Sequence, residues 1–252
     1  CKMFQSQPSQ TSSAIGSDDA QHVEQQFLNL SRAPTARATG VKMLQLANAV
    51  ARLDRIRSSC TAWLVTDEHM VTNQHCVSDD YREQDTSVDD GNDRNFSDVC
   101  KDITFHFDHQ KEVAAARGLS DFVAPMSEKR GCKRIIMANA RIDFALIELD
   151  RSISSDVIQP LKIAAEDAVP NTTLWLIGQP DAGPKKISFE NRNASSSEPC
   201  VIVGKPQFPP GKTSLDNPAE WVRGRDLHSY VHNCDTYYGS SGSPVFSAVT
   251  KE

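Results

Sequence analysis

From Cys60 onward the chain is cut into short apolar runs, and that punctuation constrains the fold more than any other feature. CTAWLVT (60–66), MVTN (70–73), ITFHF (103–107), RIIM (134–137) and FALIEL (144–149) come first. TLWLIG (173–178), CVIVG (200–204), LHSYVH (227–232) and PVFSAV (244–249) follow. Each is rich in β-branched or aromatic residues and bounded by polar, Gly- or Pro-containing loops, which is how strands and their turns read. The tight DEH turn between the first two runs predicts a hairpin. Many short strands joined this way predict an all-β sandwich or barrel. Nothing recurs at a fixed period, which argues against a solenoid or a propeller.

Ahead of the strands the sequence changes character. Residues 1 to about 17 are polar and of low complexity, and they read as a mobile tether. Asp18 and Asp19 then precede a segment with Val23, Phe27 and Leu30 on one helical face, a short amphipathic helix over 18–30 with acidic residues where the helix dipole favours them. VKMLQLANAVARLD (41–54) fits a helix through Leu46, Val50 and Leu53, and its AVARL part fits a strand equally well. The stretch from Ser78 to Val99 carries eight acidic residues and reads as a solvated loop. Its DDGND core lacks the ligand spacing and closing Glu of an EF-hand, which leaves calcium the lesser alternative there.

Charge and cysteine usage narrow the classes. A formal charge of -6, with Lys and Arg scattered, argues against a nucleic-acid surface. No apolar run approaches the roughly 20 residues of a membrane-spanning helix. Seven cysteines (Cys1, Cys60, Cys76, Cys100, Cys132, Cys200, Cys234) are dispersed without a CxxC pair. Disulfides are therefore the better reading than zinc, and they place the chain in an oxidising compartment, secreted or extracytoplasmic (periplasm or cell envelope). The odd one out is Cys1. Followed by a Ser/Gln-rich stretch, it reads either as the lipid-carrying cysteine of a processed lipoprotein, the one route to a membrane, or as a trimming boundary. Four Asn-x-Ser/Thr sequons (Asn29, Asn95, Asn171, Asn193) fit a secreted chain without establishing one.

Three polar residues stand at the ends of strand-like runs. His75 lies in VTNQHCV, Asp143 in ARIDFALIELD and Ser241 in GSSGSP. Singly, each has an ordinary structural reading as a capping or turn residue. Together they supply a nucleophile, a base and a carboxylate to orient the base, which is what acyl transfer by a serine requires. A serine esterase or lipase would set its nucleophile in G-x-S-x-G on a strand-to-helix elbow, with the chain order Ser, Asp, His. Here the order is His, Asp, Ser, and the residues after Ser241 read as strand.

CTAWLVTDEHMVTNQHCV, DFALIELD and CDTYYGSSGSPVF, in that order, resemble the three motifs of a chymotrypsin-fold (trypsin-like) serine protease, in the style of the bacterial glutamyl-endopeptidase and trypsin-like peptidase branch. The resemblance runs from about Ala49 onward. It implies two six-stranded antiparallel β-barrels, His75 and Asp143 on the first and Ser241 on the second. The expected organisation is a tether and short helix over 1–40, a first barrel over 41–152 and a second over 153–252. Only 11 residues follow Ser241, so the second barrel is expected to be incomplete.

The resemblance also assigns roles. Ser241 would be the nucleophile, His75 the general base, Asp143 its orienting carboxylate, and the backbone N–H groups of Gly239 and Ser241 the oxyanion hole. It implies the disulfides Cys60–Cys76, Cys100–Cys132 and Cys200–Cys234. Asp235 falls where the trypsin branch places its pocket-floor acid, implying a preference for Arg or Lys before the scissile bond. Thr236, with Ser243, matches instead a pattern of glutamyl-specific relatives. Ser240 stands where the trypsin branch has an aspartate, which speaks against trypsin-style activation. The implied partners are protein or peptide substrates, with neither metal nor organic cofactor. The alternative is a catalytically inactive or truncated relative that uses the scaffold to bind protein.

Overall fold

The computed structural model describes residues 3–5, 20–32, 34–56, 58–78, 94–108, 119, 128–139, 142–166, 168–190, 198–204, 229–236 and 238–248. In chain order the elements begin with β1 (Met3–Gln5), β2 (Gln21–His22), α1 (Val23–Ser31) and α2 (Pro34–Asn48). There follow β3 (Val50–Arg55), β4 (Ser58–Leu64), β5 (His69–Thr72), α3 (Arg94–Lys101), β6 (Thr104–His106), β7 (Lys129–Asn139) and β8 (Phe144–Leu149). The second half holds β9 (Leu174–Gly178), β10 (Lys186–Ser188), β11 (Ile202–Gly204), β12 (Ser229–His232) and β13 (Val245–Ser247).

Six strands close a barrel in the order β3-β4-β5-β8-β7-β6. Closure leaves no strand edge unpaired and gathers the inward residues of every strand into one core. Leu53, Leu64, Met70, Phe105, Ile135 and Ile147 form its centre, each at most 2 % exposed. The two helices α1 and α2 extend that core through Val23, Phe27, Met43 and Leu44. The ambiguous segment 41–54 is thus both things: a helix to Asn48, one turn residue, and then β3.

Among the described residues, the second half contributes two further sheets. One has the order β13-β9-β10-β2 and the other β1-β12-β11. They are stitched together beside Thr173 and Val201, where the Leu174 N–H donates to Cys200 and the Ile202 N–H to Thr172. A smaller core of Leu174, Leu176, Ile202 and Tyr230 lies around the Cys200–Cys234 disulfide.

Three expectations need correction. Met3–Gln5 pairs in parallel with Ser229–Val231, so the amino-terminal stretch is not tether throughout. The end of the acidic stretch is the helix α3, which the Cys100–Cys132 disulfide ties to β7. Gln21–His22 is strand rather than helix, and pairs with β10, a strand absent from the sequence reading because KIS offers too short a run to register. The DDGND core and Cys1 lie outside the described residues. No described helix is long and apolar enough to cross a membrane.

Candidate active site

Strand register brings His75 and Asp143 together. β5 and β8 are antiparallel neighbours with Thr72 opposite Ala145. The chain leaving β5 and the chain entering β8 therefore meet at one end of the barrel. His75 sits in a single 3-10 turn, Gln74–Cys76, closed by the Val77 N–H on the Gln74 carbonyl. The Cys60–Cys76 disulfide fastens this turn to β4. Asp143 precedes β8 with φ +52, a left-handed conformation that Asp tolerates better than most residues.

The Asp143 side chain is almost wholly buried, and its charge is met by donors. His75 Nδ1 lies 2.8 Å from Oδ2 and 3.0 Å from Oδ1, the His75 backbone N–H donates to Oδ1 at 3.0 Å, and Asn73 Nδ2 donates to Oδ2 at 2.5 Å. A buried carboxylate without such partners would be expensive, and ionised it can only accept. The Nδ1 atom must therefore carry a proton, which leaves Nε2 of the neutral ring as the basic nitrogen. The His75 side chain is 21 % exposed, open enough to reach a reacting group.

The loop bearing Ser241 is built around two glycines with positive φ, Gly239 (+88°) and Gly242 (+85°). A Cβ on Gly242 would come within 2.1 Å of the Thr61 carbonyl and 2.4 Å of Thr72 Oγ1; one on Gly239 would come within 2.6 Å of the Gln179 carbonyl. The loop is hydrogen-bonded directly to the first barrel. Thr61, the residue after Cys60 on β4, donates its N–H to the Ser241 carbonyl at 2.8 Å and its Oγ1 to the Gly239 carbonyl at 3.0 Å. The same Oγ1 accepts from the Gln179 N–H at 2.9 Å, and Thr72 Oγ1 donates to the Thr61 carbonyl at 2.7 Å. The Ser241 carbonyl also lies 3.9 Å from Cys76 Sγ, beside the turn that carries His75.

Asp235 is 7 % exposed, and its N–H donates to Ser188 Oγ at 2.9 Å. With Ser188, Ser240, Gly178 and Lys186 it lines a small cavity beneath the serine loop. Thr236 follows it, half-buried. Among the described residues, the ligand atoms of Cys60, His75 and Cys76 lie within 4.8 Å of one another. Both sulfurs are consumed in one disulfide and Nδ1 faces Asp143, so this grouping offers no thiolate for a metal.

Sequence reasoning missed Thr61, Thr72 and Asn73. Each is an ordinary polar residue inside or beside a strand; the side-chain partners of Thr61 and Asn73 lie far off in sequence, and Thr72 reaches Thr61 on the neighbouring strand. All three lie within the motifs that drew notice, Thr61 beside Cys60 and Thr72 and Asn73 just before His75, but nothing in those motifs marks them as links to the serine loop or to Asp143.

Residues 60–251 match the family model for a trypsin-like peptidase domain. Among solved structures, the chain is similar to the inactive form of the Rv3671c protease of M. tuberculosis, at 13% identity and a TM-score of 0.51, over 86% of this chain and 81% of that one. It is also similar to Deg5, at 12% identity and 0.51, over 86% and 82%. At such identities the likeness speaks for the fold. No curated protein matches the sequence.

Proposed function

The chain belongs to the trypsin-like peptidase family, and from that premise we propose that it is a serine endopeptidase working through an acyl-enzyme. The observation that carries the proposal is the buried Asp143 carboxylate on His75 Nδ1, with the Ser241 loop anchored beside the same turn.

In this reading the Ser241 Oγ attacks the scissile carbonyl carbon while His75 Nε2 takes its proton. The carbonyl oxygen becomes an oxyanion held by the N–H groups of Gly239 and Ser241. Collapse of the tetrahedral intermediate breaks the C–N bond, and His75 returns the proton to the departing amine. A water, deprotonated by His75, then releases the acyl group. Asp143 keeps the ring in its productive tautomer and stabilises the imidazolium.

For specificity we keep Asp235 as the group favouring Arg or Lys, with Thr236 beside it. A carboxylate in a dry pocket attracts a cation and repels a glutamyl side chain, which is why the glutamyl-directed reading ranks below it. Three disulfides within the described residues fit an extracytoplasmic protein. The test is hydrolysis of peptide amides bearing Arg, Lys, Leu or Glu before the scissile bond. Turnover that Ser241→Ala abolishes, fastest after Arg or Lys, supports both parts. Turnover fastest after Glu rejects the role of Asp235, and turnover unaffected by Ser241→Ala rejects the nucleophile.

A further inference from the structure

We infer that Arg52, on the wall of the first barrel, is a positioning residue for the oxyanion hole, acting through the turn Pro180–Ala182. The inference rests on the peptidase reading above and adds to it a residue outside the triad and the serine loop, opposite Thr61 on the neighbouring strand.

The chain of contacts starts at the hole. The Tyr238 carbonyl accepts a hydrogen bond from the Asp181 N–H at 2.5 Å. The described peptide bonds are trans, so the N–H of Gly239, in the same peptide plane, points the opposite way from that carbonyl. Turning this plane over would bring two N–H groups face to face at Asp181 and put a carbonyl where an oxyanion has to sit. The direction of the Gly239 N–H is therefore fixed by the Asp181 N–H.

What fixes Asp181 is less obvious. Asp181 (φ +53) and Ala182 (φ +54) are two successive non-glycine residues in the left-handed region. Asp tolerates that region, whereas Ala has no side-chain hydrogen bond to offset it. Such a turn persists only where the surroundings hold it. One bond is internal, from the Gly183 N–H to the Pro180 carbonyl at 2.8 Å. Another comes from the first barrel: Arg52 Nη1 donates to the Ala182 carbonyl at 3.1 Å. Just downstream, the buried Lys185 Nζ donates to the Ala47 carbonyl of α2 and the Phe107 carbonyl just past β6, and holds the exit of the turn there.

Arg52 suits this role because its own direction is set. Its Nε and Nη2 donate to Asp54 Oδ2 at 2.9 and 2.6 Å, and Ser59 Oγ donates to Asp54 Oδ1 at 3.1 Å. One edge of the planar guanidinium is thus committed to Asp54, and the remaining nitrogen is presented to Ala182. A lysine, with a single nitrogen, cannot reproduce this two-edged fork, which pairs Asp54 on one edge and reaches Ala182 from another nitrogen.

The experiment uses the full chain with Arg52→Ala, Arg52→Lys and Arg52→Ala/Ala182→Gly. Thermal melting establishes folding, and kcat and KM are measured on one peptide amide. A misdirected oxyanion donor lowers kcat, by roughly 10- to 100-fold, and leaves KM within about threefold. Arg52→Lys, which keeps the stem and the Asp54 pair, serves if alanine prevents folding, and a clear drop in kcat is expected there too. Glycine adopts φ near +54° without penalty, so Ala182→Gly should restore several-fold of the lost kcat. Folded Arg52 variants with kcat within twofold of wild type, or a loss confined to KM, would overturn the inference. Failure of the underlying reading looks different: wild type itself would neither turn over the substrate nor label at Ser241, and this inference would fall with it.

Discussion

Asp143 carries more of this account than its size suggests. Its carboxylate faces His75 Nδ1, the His75 backbone and Asn73 at once, so it fixes the tautomer, the ring angle and the entry of the turn together. Asp143→Asn keeps the shape but allows an amide N–H to face Nδ1, which favours the wrong tautomer. The expected result is a fall in kcat of about 10³- to 10⁴-fold with little change in melting temperature. A loss of only a few-fold would mean that His75 is not the base. Gly242 answers to a steric argument. With φ +85 and the Thr61 carbonyl 2.1 Å from a would-be Cβ, Gly242→Ala cannot be accommodated without moving the serine loop or β4. Destabilisation by several kcal/mol, on the order of 3 or more, is expected in a denaturant titration.

At the level of elements, the β-rich character was legible because half-buried strands leave a compositional trace. FALIEL predicts its strand to the residue, Phe144–Leu149, and the hairpin at DEH is β4 and β5. His75 and Asp143 could be singled out as strand-end residues, but nothing in either motif shows that β5 and β8 are neighbours. That pairing joins residues about 75 apart in sequence and comes only from closing the barrel. β10 and α3 were missed for a related reason: KIS is too short, and α3 lies in an acidic run that local composition assigns to solvent. Thr61 shows the same limit within one residue. Thr61→Val preserves shape but strips the Gly239 carbonyl of a donor and the Gln179 N–H of an acceptor, both buried. A loss of about 2–4 kcal/mol is expected from urea unfolding, with kcat reduced as the loop loosens. On β8, Glu148 pairs with Lys133 and Arg134, whose hydrogen bonds hold its carboxyl near pKa about 2. The group thus contributes stability above pH ~4.5 that is lost as pH falls toward 2. Glu148→Gln should flatten the melting temperature between those limits, modestly, because Lys133 and Arg134 are largely exposed.

Across the whole molecule, the core of the first barrel takes in Ile177, Ile187 and Phe246 from the strands that follow it, and Thr61, Arg52 and Lys185 add polar links between the two. Burial pushes the Lys185 ammonium down to about 7, against the attraction of Asp108. Between pH ~7 and ~10.5 an unfolded chain keeps a proton on this group that the folded chain has released, so its contribution to stability rises with pH over that window. Lys185→Met should remove that rise, and an unchanged slope in denaturant midpoints from pH 7 to 10 would show that Lys185 does not titrate there. The decisive question remains whether His75, Asp143 and Ser241 act as one unit. The most direct measurement is labelling of the intact, oxidised protein with a fluorophosphonate, mapped by peptide mass in wild type, His75→Ala and Ser241→Ala. Such a probe phosphonylates a serine only where a base and an oxyanion hole are assembled around it. One adduct, on Ser241, lost in both variants, is the predicted result. A folded wild type without that adduct, or one labelled equally well when His75 is alanine, would contradict the account.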